Sequence, residues 1–211
     1  MSNISKELSF EERDNLSIEE MKEILRQAIA LKENEDNQFV RDVWSNAMKI
    51  LSIAGKRELY DLVPELYELL NSWEPYFRQG AVSNLGHWLN IPEFKDKSYE
   101  IFMNDKSSKV KFSALLSWGS YYMNTKNPLV LEELYKILIN ETYDSGIREV
   151  ALGEIFDVVG VRPNFYDPYT SKLIKCQTPQ EFNSKVDWKE VIGLLRKYAP
   201  DALKIYPINR K

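Results

Sequence analysis

The sequence predicts an all-α fold, an α-solenoid of about four helical hairpins with a helical cap at its C-terminal end. Three observations predict it. Glycines number only 8 in 211 residues, and long Glu/Lys/Leu-rich segments favour helices over strands and hairpins. An apolar–basic pair recurs as Val40-Arg41, Phe77-Arg78, Val110-Lys111 and Ile147-Arg148, at steps of 37, 33 and 37 residues. Each pair opens a segment of helical periodicity that follows another such segment, so the repeating unit is a hairpin of two helices.

Residues 1–17 form an N-terminal cap to the stack. Ser17 and Glu20 then make a capping box at the start of the first helix, Ile18 to Leu31. The other first helices of the hairpins are Leu59 to Leu70, Tyr99 to Met103 and Leu129 to Ile139. In the second helices, Trp44, Ala81, Ala114 and Ala151 follow the first member of the pair by four residues. Met48, Leu85, Trp118 and Ile155 follow it by eight, and Leu51, Trp88, Tyr121 and Val158 by eleven. Offsets of zero, four, eight and eleven share one helix face, and the small residue marks where a neighbouring helix crosses closely. Trp44 departs from that pattern, as expected of a terminal unit with one neighbour. Turns fall at Gly55, Asn90-Ile91-Pro92, Asn127-Pro128 and Gly160 to Pro163. One hairpin cannot bury its apolar stripe, whereas stacked hairpins share a continuous core. The repeats therefore occupy 18–161 of a single domain spanning 1–211. Within 162–211, Thr178-Pro179-Gln180-Glu181 starts a helix, and Trp188, Val191, Ile192, Leu195 and Tyr198 form a stripe ending before Pro200. This region reads as a capping hairpin over the last repeat, with a partner-binding helix as the alternative.

Composition narrows the function classes. The net charge of −4 divides into −5 over residues 1–36, −4 over 37–160 and +5 over 161–211. A protein gripping a duplex along its length needs a broad basic face, so nucleic acid is disfavoured. The basic C-terminal stretch reads as a solvated face. No run of about 18 apolar residues is present to span a bilayer, and MSNISKELSF lacks the basic and apolar blocks of a signal peptide. A cytoplasmic protein without membrane attachment is expected. Cys176 is the sole cysteine, which excludes an intramolecular disulfide and a cysteine metal cage.

Phe77-Arg78-Gln79-Gly80-Ala81-Val82-Ser83-Asn84-Leu85-Gly86 and Val110-Lys111-Phe112-Ser113-Ala114-Leu115-Leu116-Ser117-Trp118-Gly119 resemble the Val-Arg-x-x-Ala-x-x-Ala-Leu-Gly signature of HEAT-like repeats, in the short form of bilin-lyase-type HEAT proteins. The resemblance covers roughly residues 18–161 and implies a right-handed α-α superhelix. It also implies an Asp three residues before each pair that meets arginines of neighbouring repeats. Asn37, Glu74, Ser107 and Asp144 hold that position, so the ladder is incomplete. The resemblance speaks for architecture and hardly for chemistry.

No catalytic spacing is visible, and no enzyme, cofactor or metal is expected. His87 is the only histidine and sits off the apolar stripe, and there is neither a G-x-x-x-x-G-K-[ST] nor a G-x-G-x-x-G loop. Glu65 with Glu68, and Glu132 with Glu133, follow helical surface spacing. One enzyme class shares the resembled architecture, the HEAT-like glycosylases that excise alkylated bases using Trp, Asp and Arg. Trp44 with Asp42 and Arg41, or Trp118 with Arg148, would be the counterparts, but the repeat region is acidic.

The expected function is that of a non-catalytic protein-binding module, an adaptor or a stoichiometric inhibitor of immunity type, whose concave face takes a protein partner. An acidic face suits a basic partner. In the resembled family the second helices line that face. Phe112, Leu116 and Met123 stand there where other repeats are mainly polar or small, with Gln79, Asn46 and Glu149 as a polar rim. Either this patch is an interface or a loop or the C-terminal hairpin covers it.

Overall fold

The computed structural model describes residues 6–33, 37–161 and 176–206. Arg162 and Pro163 of the fourth predicted turn lie outside them, as do residues 1–5 of the predicted cap. Among the described residues every regular element is helical. They are α1 (Phe10–Asp14), α2 (Ile18–Ala30), α3 (Gln38–Ala54), α4 (Val63–Leu69), α5 (Pro75–Val82), α6 (Lys95–Asn104), α7 (Ser108–Ser120), α8 (Pro128–Ile139), α9 (Ser145–Val159), α10 (Pro179–Lys185), α11 (Trp188–Tyr198) and α12 (Pro200–Ile205). Short 3-10 turns at Tyr60–Leu62 and Pro92–Phe94 lead into α4 and α6. None of these helices is long and apolar enough to cross a membrane.

The chain divides into two compact units, Met1–Ser117 and Trp118–Lys211. In the first, α2 packs on α3 and α4, α3 on α5, and α4 on α5. Leu25, Ile50, Leu62, Leu66, Phe77, Phe94 and Phe102 are fully enclosed, each contributing about 1.5–3 kcal/mol through removal from water. In the second, α8 packs on α9 along its length and also meets α11 and α12. Its core is built from Leu131, Leu134, Tyr135, Ile155, Phe156, Phe182, Val191 and Leu195.

Helix ends follow the expected chemistry. Ser17 Oγ accepts from Glu20 N–H while Glu20 Oε2 accepts from Ser17 N–H, and Ser9 with Glu12 repeats the device at α1. Thr178 Oγ1 accepts from Glu181 N–H, but Glu181 reaches back to the N–H of Gln177 rather than of Thr178. Asn37, Glu74 and Asp144 cap their own helices by accepting from Val40, Tyr76 and Ile147. The basic member of the pair reaches back across the turn to the end of the preceding helix. Arg78 Nη1 donates to the carbonyls of Ser72 and Trp73, just past α4; Lys111 Nζ donates to Met103 O on α6; Arg148 Nε donates to Leu138 O on α8. A cation there satisfies carbonyls that the preceding helix leaves unpaired and meets the negative end of its dipole. This explains why a basic residue recurs at that position.

Two features depart from the expected periodicity. Residues Ser83–Trp88 form a π-helical turn, with Leu89 N–H donating to Asn84 O five residues back. The wider turn absorbs one residue, so Trp88, expected on the core stripe, is 48% exposed and Leu89 is buried instead. Asn84 is why the turn sits there. Its Oδ1 accepts from Gly55 N–H (2.6 Å) and its Nδ2 donates to Leu51 O (2.9 Å) and Gly80 O (2.7 Å). The side-chain amide is thus interposed where the last turn of α3 would otherwise close its own Gly55-to-Leu51 bond. A Cβ on Gly55 would fall 2.2 Å from Trp88 Cβ, so the close approach requires glycine. The second departure is Trp44, which is half-buried and packs edge-on against Tyr76 and beside Phe77.

Candidate protein-binding surface

The patch expected from the sequence is only partly on the surface. In the first unit, Phe112, Leu116 and Gln79 are half-buried, and Asn46 is buried. In the second, Met123 is 52% exposed and Glu149 is buried. Asn46 and Glu149 are therefore corrected from rim residues to interior ones. Asn46 is covered because the chain's own segment Lys6–Leu8 lies over α3 and both hydrogen-bonding ends of its amide are engaged there. Glu149 sits on a helix with eleven buried residues, so nearly every face of α9 is covered.

A different set of side chains reaches solvent in the first unit. Phe39 (44% exposed), Trp73 (39%) and Tyr76 (40%) stand at or just before the starts of α3 and α5. Tyr76 lies edge-on to Trp44 with ring centres 6.0 Å apart. Lys109, at the start of α7, holds its ammonium 4.1 Å from the Tyr76 ring centre and also donates to the Tyr76 hydroxyl. Trp73 Nε1 donates to Leu31 O at 3.0 Å, which fixes the indole while leaving its face accessible. Phe39, Tyr76 and Lys109 share one register position, immediately before the core-facing member of each pair. One residue is about 100° of helical rotation, so this position turns from the core to the rim. Reading that column of the repeat, Phe39, Tyr76, Lys109 and Gly146, would have found the aromatic pair from sequence. Rigid aromatics whose polar tips are already bound lose little conformational freedom when a partner covers them.

The residues weighed for base excision are engaged within the protein. Asp42 is buried and accepts from Gln38 Nε2 at 2.6 Å. Trp118 is buried, and Arg148 is fully enclosed, stacked 4.3 Å from the Phe182 ring centre and donating to Asn183 Oδ1. His87 is exposed beside Trp88, and Cys176 is buried with Lys185 Nζ donating to its sulfur. Among the described residues no three metal-ligating side chains converge.

Three carboxylates show what their surroundings do. Burial pushes Glu154 on α9 well above the usual carboxylate range and the charge of Asp157 adds to this; Oε2 has no hydrogen-bond partner. Asp105 is raised by burial, but bonds from Arg78 and the Ser107 N–H, with the charges of Arg78 and Lys111, outweigh that and hold it below its ordinary value. Glu7 is lowered by hydrogen bonds from Lys49 and Ser45. No family model, curated protein or solved structure matches the chain.

Proposed function

We propose that the chain is a stack of HEAT-like hairpins that binds a protein partner without catalysing a reaction, as an adaptor or a stoichiometric inhibitor. Two things support the architecture. The pairing of α2 with α4 and of α3 with α5 in the first unit is that of like helices ranked side by side, and the basic residue recurs at the same helix end in three hairpins. The binding reading is carried by the exposed aromatics Phe39, Trp73 and Tyr76, with Lys109 against Tyr76, the residue types that anchor interfaces. An acidic repeat region suits a basic partner. The test is capture of partners from the source cells by the wild-type chain and by Tyr76→Ser combined with Phe39→Ser. The expected result is a specific partner lost from the double variant, whose thermal melt stays near that of wild type because both side chains are on the rim. Equal capture by both proteins would refute the assignment of this surface.

A further inference from the structure

The segment ahead of α1 is held in a way that an ordinary helical cap is not. Asn46 accepts from the N–H of Leu8 (2.8 Å) and donates to the carbonyl of Lys6 (2.9 Å). One side-chain amide thus reads two main-chain groups two residues apart, a pairing available to any extended peptide. The side chains add selectivity. Glu7 Oε1 accepts from Lys49 Nζ (2.7 Å) and from Ser45 Oγ (2.8 Å), and these bonds lower its pKa. Lys49 Nζ also donates to Leu8 O (2.5 Å), and Leu8 itself is buried. Beyond Leu8 the grip is lighter: α1 buries none of its residues, Phe10 is exposed with Arg13 and Lys49 over its ring, and a surface ion pair joins Asp14 to Arg57 at 2.9 Å. A segment fastened by backbone bonds, one ion pair and one leucine opens at low cost relative to the core.

We propose that Ser45, Asn46 and Lys49 form a binding site for an extended peptide in which an acidic residue precedes a leucine, and that residues 6–8 are its resident occupant, displaced by a partner segment of the same pattern. The site deepens the protein-binding reading and rests on it only for its biological use. The test uses the full chain. Glu7→Lys with Leu8→Asp removes both side-chain anchors of the resident segment and leaves Ser45, Asn46 and Lys49 intact. A fluorescein-labelled peptide covering Lys6–Phe10 should bind this variant at least about tenfold more tightly than wild type, since wild type carries a tethered competitor. Adding Lys49→Met should weaken that peptide about as much as replacing its glutamate by glutamine does, and the two changes together should cost little more than either alone, a non-additivity that a purely structural role would not produce. A natively folded Glu7→Lys/Leu8→Asp protein that fails to bind would overturn the proposal. So would a wild-type dimer dissolved by those two substitutions, which would place the segment on a second copy. Partner capture sensitive to Tyr76 would survive either result, so failure here is separable from failure of the general reading.

Discussion

Replacing Asn84 by alanine removes three hydrogen bonds from an interior position: Gly55 N–H to Oδ1, and Nδ2 to Leu51 O and Gly80 O. At about 1 kcal/mol net for each, the loss sums to roughly 3 kcal/mol. Part is recovered if the last turn of α3 closes its own Gly55-to-Leu51 bond, which lowers the cost to about 2 kcal/mol. For a chain of this size that range corresponds to a fall in melting temperature of roughly 4–12 °C. Far-UV circular dichroism during heating measures it. Asn84→Asp separates the bonds by polarity: a carboxylate still accepts from Gly55 but presents oxygen to two carbonyl oxygens. Aspartate should therefore cost more than alanine at neutral pH and recover on acidification, when it gains a proton to donate. An alanine variant within about 0.5 kcal/mol of wild type, or an aspartate variant as stable as asparagine at neutral pH, would refute the account of the π turn.

Arg78→Met breaks a two-pronged bond to Asp105, with Nε 2.8 Å and Nη2 2.9 Å from its oxygens; a double-mutant cycle with Asp105→Asn in urea should show coupling of about 1–3 kcal/mol. Because the folded pKa of Asp105 is depressed, its contribution is present above the unfolded value of about 3.9 and lost as pH falls through the folded value, so the variant should lose that acid dependence. Glu154 has the opposite sign. Its folded pKa is raised, so its contribution is complete below the unfolded value of about 4.3 and lost as pH rises through the folded value. Glu154→Gln should match wild type below about pH 4.3 and gain on it as pH rises from there, read as the urea midpoint across the series.

Much of the fold was legible because helix starts and core stripes are local. The capping box of Ser17 and Glu20, the extent of α8, the stop of α9 at Gly160, and the enclosed Phe77, Ala81, Ala114 and Ala151 follow from spacing alone, whereas Glu181 does not close the box on Thr178. The π turn was not legible, since it arises from Asn84 meeting the end of a helix some thirty residues earlier, and no pattern within α5 announces it. The patch expected from the sequence was misplaced for a related reason. Offsets on a helical wheel place Asn46 and Glu149 correctly on their helices but are silent on what lies over them, and in the case of Asn46 the cover is a segment 38 residues away. The exposed pair Phe39 and Tyr76 was within reach, at a register position outside the stripe that drew attention.

The basic side chains that fasten α5 to α4, α7 to α6 and α9 to α8 each find their carbonyls inside their own hairpin. On the stacked arrangement proposed above, a copied stretch of some 35 residues would arrive with its lock already fitted, needing only matching flanks on either side. Such a chain can grow or shorten by whole hairpins through duplication or loss of gene segments. The same autonomy leaves the outward-turned residue before each lock free to vary without rebuilding the frame.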